Sequence, residues 1–263
     1  MDWGKRNRLS RILKPESGRT VMLAVDQGYF LGPPQMLENV ARTVSPLMNE
    51  TDALMLTRGI LRSQIPAEQN IPIVLRVSGG SSVIGADLAN EVITTSLEDA
   101  LRVNSSAVAI SIFIGSEYES QTLESLALLV DEAQIYGMPV LVETAVGKDP
   151  GKREVRFLSL SCRIAAEFGA DFVKTWYCDE FEKVVESCPV PIVITGGPRL
   201  ETEMDAFRMA HDAIRKGAKG VDFGSHIWQN PHPLGMIKAV RAIVHEDARP
   251  EDALRIYESN RIS

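Results

Sequence analysis

The 263-residue chain has few of the side chains that build metal centres and covalent cross-links. It holds three cysteines, Cys162, Cys178 and Cys188. Their odd number and the lack of CxxC spacing exclude a disulfide framework and fit a reducing compartment, the cytoplasm. The four histidines, His211, His226, His232 and His245, all lie in the last quarter. With no HxH and no HExxH among them, no metal site is expected, and a zinc hydrolase or metal-dependent aldolase loses its ligand set. Neither GxGxxG nor GxxxxGK[ST] occurs, which removes the usual support for dinucleotide-fingerprint and P-loop readings. No apolar run approaches the roughly 20 residues of a membrane span. No signal-peptide core follows Met1-Asp2-Trp3-Gly4-Lys5-Arg6. Cationic excess is also missing: 28 Lys and Arg against 35 Asp and Glu leave a net charge of −7. That balance argues against nucleic acid or an anionic membrane as the main partner.

What the chain does have is a repeated alternation of short apolar runs and longer amphipathic segments. The runs are Thr20–Val25, Ala53–Leu56, Ile73–Val77, Ala107–Ile112, Val140–Val142, Phe172–Val173, Pro191–Ile194 and Gly220–Val221. Most are short and rich in Val and Ile, as strands buried on both faces are. Between them, apolar residues recur at helical spacing and end on glycine: Leu123, Leu126, Val130 and Ala133 before Gly137; Leu160, Ile164, Ala165 and Phe168 before Gly169; Phe207, Ala210 and Ile214 before Gly217. Helix, left-handed glycine cap, short loop and strand is the pattern of repeated βαβ units.

Eight such units in this length predict an α/β fold with one (β/α)8 TIM barrel over residues 1–263, residues 1–19 forming an extension across the barrel bottom. An open doubly wound sheet is the runner-up, but it expects a glycine-rich first turn that is absent. Residues 78–95, rich in Gly and Ser, make a long connection of the kind that usually carries function.

Barrel chemistry lies at the C-terminal ends of the strands. Lys174 ends the sixth run, where desolvation is expected to lower its pKa and leave an amine able to attack a carbonyl. The plainer alternative is a strand-end lysine that reaches solvent or pairs with Asp26. Asp26 ends the first run beside Gly28 and reads equally as a proton shuttle or as an Asx cap of its turn. Gly196-Gly197 and Gly224-Ser225 follow the seventh and eighth runs, where barrels often cradle phosphate on backbone N–H groups. Arg58, Glu143 and Lys148 complete the candidate substrate-binding set, with rim charge as their alternative role. Cys178 has no histidine partner in the sequence and is not read as a nucleophile.

Several strings resemble a known family. They are Asp26-Gln27-Gly28-Tyr29-Phe30-Leu31-Gly32-Pro33, Leu56-Thr57-Arg58-Gly59-Ile60-Leu61-Arg62-Ser63, Ile114-Gly115-Ser116-Glu117-Tyr118-Glu119, Val146-Gly147-Lys148-Asp149, Val173-Lys174-Thr175-Trp176-Tyr177 and Pro189-Val190-Pro191-Ile192-Val193-Ile194. From Asp2 to Tyr257 the chain is similar to the DeoC/FbaB class I aldolases of the archaeal type, and within them to a thiolase branch. The resemblance implies a TIM barrel that forms large homo-oligomers, often of ten subunits. It implies a Schiff-base lysine at Lys174, an acidic partner at Asp26, and phosphate held at Gly196, Gly197, Gly224 and Ser225. It implies no bound cofactor, with coenzyme A as the acyl-accepting co-substrate in the thiolase branch.

Three positions depart from the family pattern. Thr144 stands where the fructose-bisphosphate aldolases carry a proton-donating tyrosine. Gly224-Ser225-His226 replaces the usual Gly-Arg-Asn, removing a bidentate phosphate contact. Gln27 replaces a frequent histidine. The expected function is lysine-dependent cleavage or formation of a C–C bond in a small phosphorylated keto compound, with acetyl transfer to coenzyme A in the thiolase case. A fructose-bisphosphate-type aldolase and a non-catalytic sugar-phosphate-binding barrel are the alternatives.

Overall fold

The computed structural model describes residues 2–261 apart from 86, 146–152 and 198–199. The strands are β1 (Thr20–Ala24), β2 (Ala53–Thr57), β3 (Ile73–Arg76), β4 (Ser78–Gly79), β5 (Val92–Ile93), β6 (Ala107–Ile112), β7 (Val140–Thr144), β8 (Phe172–Thr175), β9 (Ile192–Thr195) and β10 (Gly220–Phe223). Eight of them close a parallel barrel in the order β1-β10-β9-β8-β7-β6-β3-β2, and these eight coincide with the eight apolar runs. The remaining two, β4 and β5, pair antiparallel within residues 78–95, so the long Gly/Ser-rich connection carries a small hairpin.

Because a strand alternates sides every residue, each barrel strand divides its side chains between two cores. Val21, Leu23, Leu54, Leu56, Leu75, Val108, Ile110, Val142, Val173, Ile194, Val221 and Phe223 face the surrounding helices. Met22, Ala24, Ala53, Met55, Val74, Ala107, Ala109, Leu141, Phe172 and Val193 fill the barrel interior. The helices that cover the outer face include α6 (Glu119–Ile135), α7 (Val155–Glu167), α9 (Glu203–Arg215) and α11 (Pro233–Glu246). Gly137, Gly169 and Gly217 follow α6, α7 and α9 with φ of +59°, +97° and +105°, the left-handed caps that favour glycine.

The first helix, α1 (Trp3–Ile12), ends on Ile12, which is fully buried with the interior set. The barrel closes where β1 pairs with β10, Thr20 opposite Gly220. A Cβ on Gly220 would come within 2.0 Å of the Thr20 carbonyl oxygen, so this seam admits glycine alone.

A charged knot ties the ends of the chain together. Asp52, just before β2, accepts the Val21 N–H at 2.7 Å. It also pairs with Arg241 at 2.9 Å and His245 at 2.6 Å on α11. Burial pushes the Asp52 carboxyl up, but the His245, Arg241 and backbone hydrogen bonds outweigh it and hold the group below its usual range. Asp52→Asn is therefore expected to cost about 1.5–3 kcal/mol at neutral pH, from lost charge-assisted hydrogen bonds. The contribution is present above the unfolded carboxylate pKa of about 3.9 and disappears as pH falls through the lower folded value. Thermal melts should separate the variant from the wild type at pH 7 and bring them together in acid.

Candidate active site

The same alternation that places Phe172 inside the barrel places Lys174 there too, one pleat nearer the C-terminal mouth. Its Nζ lies 2.9 Å from Asp222 Oδ2 on β10 and 3.2 Å from Glu143 Oε1 on β7. On another side it meets Met55 Sδ at 3.8 Å. Both Lys174 and Asp222 are buried, the Asp222 side chain completely. Asp26, just past β1, does not touch the lysine. It pairs with Arg76 on β3, whose Nε is 2.9 Å from Asp26 Oδ2. Arg76 uses its remaining nitrogens on Ser111 Oγ of β6 at 2.7 Å and on Glu143. Three carboxylates and two cations, from five strand ends, thus form one buried network.

This network reverses the expectation for Lys174. Burial does push its pKa down, as desolvation of an ammonium must. Asp222, Glu143 and, more weakly, Asp26 push it up, and together they win: the resting lysine is held charged, above its ordinary value. Glu143 shows the reciprocal effect. Burial raises its pKa, but Lys174 and Arg76 outweigh that and hold it at about 2. Asp222 behaves differently, because for it burial outweighs the attraction of Lys174, and its pKa stays above the usual carboxylate range. The pairing of Lys174 with Asp26 weighed from sequence is also corrected, since Glu143 and Asp222 take that place.

Glu143 is likewise no phosphate ligand. Both its oxygens are committed to Lys174 and Arg76, and a carboxylate repels an anion. Arg58 opens α4 (Arg58–Gln64) and pairs with Asp99 at 3.1 Å, with about half of its side chain exposed. It shares a cleft with Thr57, Arg76, Ser78 and Thr94. Lys148 lies outside the described residues.

The glycine loops lie beside the same mouth. A Cβ on Gly196 would stand 2.5 Å from His226 Nδ1, and one on Gly224 would stand 2.6 Å from Gln27 Nε2 and 2.9 Å from the Ala24 carbonyl oxygen. Close backbone approach, not turn geometry, therefore fixes glycine at these two positions. Gly197 takes φ +71° against the Trp176 ring. Ser225 begins the short helix α10 (Ser225–Trp228), and the Trp228 indole N–H donates to the Ala24 carbonyl at 3.0 Å. That bond docks the last loop against the end of β1.

Sequence reading assigned no role to Arg76, Asp222 or Glu91. Inward parity was the available signal for the first two, since each stands two residues beyond an inward-facing position of its own strand. Glu91 gave no signal. It is buried on the 78–95 connection, where it accepts the Tyr29 hydroxyl at 2.5 Å and the Ser78 hydroxyl at 2.7 Å. These bonds fasten the hairpin over the β1 and β3 ends, and the Tyr29 ring lies 5.5 Å from the Arg76 guanidinium.

Comparison with known proteins agrees with this geometry. Residues 20–230 match the model of the DeoC/LacD family aldolases. A protein of Klebsiella pneumoniae subsp. pneumoniae, called 3-hydroxy-5-phosphonooxypentane-2,4-dione thiolase, is 50% identical over 99% of this chain and 88% of its own. The protein of that name from Escherichia coli strain K12 is 48% identical over 99% of this chain and 89% of its own. Among solved structures, an archaeal fructose 1,6-bisphosphate aldolase superposes with a TM-score of 0.82 at 25% identity, covering 93% of this chain and 100% of its own. A second, with the same TM-score and identity and covering 92% and 99%, is described with its catalytic Lys covalently bound to the carbinolamine intermediate of the substrate. A closed parallel barrel, a lysine buried among carboxylates at its mouth, and relatives of near full length agree, and the chain belongs to the DeoC/LacD aldolase family.

Proposed function

We propose that this chain cleaves or forms a C–C bond next to a carbonyl of a small phosphorylated keto compound, through a Schiff base on Lys174. In the thiolase form of the reaction it passes an acetyl group to a thiol, coenzyme A. The observation that carries this reading is the Lys174 amine, enclosed in the barrel interior with carboxylates on two sides. As an iminium, its nitrogen draws electrons from the adjacent bond, while Asp26 moves protons at the reacting carbon or hydroxyl. Gly196, Gly197, Gly224 and Ser225 offer backbone N–H groups to the phosphate, and Arg58 adds a cation near the mouth.

A specific observation favours the thiolase over the sugar-phosphate aldolase. Thr144 is buried, and its Oγ1 is 2.7 Å from Thr175 Oγ1. No phenol stands at that position to donate the proton that aldol cleavage requires. The diketone in the names of the relatives supplies a carbonyl on either side of the bond to be broken, which suits acyl transfer to a thiolate.

The test is trapping. The protein is incubated with 3-hydroxy-5-phosphonooxypentane-2,4-dione and sodium borohydride, then digested and read by mass spectrometry. A reduced adduct on Lys174 is expected, together with turnover that depends on coenzyme A. Tight binding of the diketone with no adduct would support the sugar-phosphate-binding alternative, and an adduct with cleavage independent of coenzyme A would support the aldolase.

A further inference from the structure

We propose that Asp222 is the group that takes the proton from the Lys174 ammonium when the lysine attacks, and that it returns this proton to the oxygen that leaves. The inference rests on the Schiff-base reading of Lys174 and adds to it a residue with no assigned role.

A charged lysine is not a nucleophile, and the resting network holds Lys174 charged. Something beside it must accept a proton before attack. The carboxylates that act on the ammonium are Asp222, Glu143 and Asp26, and Arg76 is the cation that opposes it. Asp26 does not touch Nζ, and Glu143 is bound by the Arg76 guanidinium, where an acceptor already paired with a fixed cation is a weak base. Asp222 is free of Arg76. It lies 2.9 Å from Nζ with its side chain wholly buried. Apart from that ammonium, neither of its oxygens has a hydrogen-bond partner among the described residues. The elevated pKa that burial gives Asp222 is in keeping with this role.

The step balances. The proton moves from Nζ to an Asp222 oxygen, turning an ion pair into amine and carboxylic acid. The amine lone pair forms the N–C bond as the carbonyl π bond opens onto oxygen. A second proton passes from nitrogen to that oxygen, giving the carbinolamine. Asp222 then gives its stored proton to the hydroxyl, water leaves, and nitrogen closes the iminium. Asp222 ends as a carboxylate beside a cation again, so the net charge of the network is the same before and after the step.

Asp222→Asn tests this with the diketone and borohydride, followed by quench-flow. Borohydride reduces an iminium but not a carbinolamine, so the assay reads the completed step. The wild type is expected to give a trapping rate that is flat across neutral pH. The variant should be slower by about 100-fold or more, the range for loss of a positioned acid–base group, with a rate that climbs with pH as hydroxide takes over deprotonation. Asp222→Ala should recover part of the rate when formate is added, and Asp222→Glu should keep more of it than Asp222→Asn. These two serve if the amide variant does not fold. A folded Asp222→Asn with the wild-type rate and pH profile overturns the role of Asp222 while leaving the Schiff base intact. Absence of an adduct in the wild type overturns both.

Discussion

Lys174→Arg is expected to lose essentially all turnover and all borohydride-trapped adduct, although it keeps the positive charge. The resting site needs a cation between Glu143 and Asp222, and a guanidinium supplies one. The reaction needs a lone pair, and a guanidinium does not lose its proton within the working pH range. A bound, oriented nucleophile contributes an effective molarity of about 10⁵ M or more, so kcat/KM should fall by about that factor. Lys174→Met should fall equally far. Arginine keeping a substantial fraction of activity where methionine keeps none would show that the side chain only polarises the carbonyl. Melting curves separate the two causes of loss: Lys174→Met leaves Asp222 without its cation, and that carboxyl can take up a proton instead of remaining buried and charged.

The second large effect is on stability. Arg76→Met removes the cation shared by Asp26 and Glu143 and leaves the Ser111 hydroxyl without its donor. Removing one member of a buried ion pair typically costs about 3–5 kcal/mol. At about 2–4 °C per kcal/mol for a chain of this size, the melting temperature should drop by about 10 °C. The pH dependence identifies the cause. In the wild type Glu143 titrates at about 2, so its pairing stabilises the fold above the unfolded glutamate pKa of about 4.3 and loses that contribution only as pH falls toward 2. Without Arg76 the Glu143 carboxyl titrates higher, and mild acid should narrow the gap between variant and wild type. A gap that stays constant from pH 7 to pH 4 would place the damage in packing rather than in charge. Equal melting temperatures at pH 7 would remove the guanidinium from the list of groups that hold the barrel mouth together.

The barrel was legible because each of its strands is a short apolar run bounded by turn chemistry, and because Gly137, Gly169 and Gly217 punctuate the helices before the next strand. Lys174 was legible for a related reason: a charge at the end of such a run is conspicuous. The state of that charge was not. It depends on Asp222 and Glu143, residues 48 and 31 positions away that meet the lysine only through the pairing of β7, β8, β9 and β10, and Coulomb attraction over about 3 Å outweighs the burial that was visible locally. Arg76 escaped for the same reason, since its partners Asp26, Ser111 and Glu143 belong to three other strands. Glu91 lies in a segment with no periodicity at all, and only the fold carries it to Tyr29. Parity counted from Met22, Val74, Phe172 and Gly220 would have pointed Asp26, Arg76, Lys174 and Asp222 inward, but not to one another.

The seam at Gly220 bears on how the protein comes into being. Strands β1 and β10 are the first and last of the barrel, and pairing Thr20 with Gly220 closes a loop of about 200 residues. Contacts of such sequence separation form slowly and at high entropic cost. Read from one edge of the unclosed sheet to the other, β10 to β1, Asp222 stands at one edge and Asp26 at the other, with the lysine between them, so closing the seam is what encloses the site. A chain open at this seam therefore holds every residue of the site without the enclosure that buries them. One pairing, β1 with β10, thus completes both the barrel and the pocket within it.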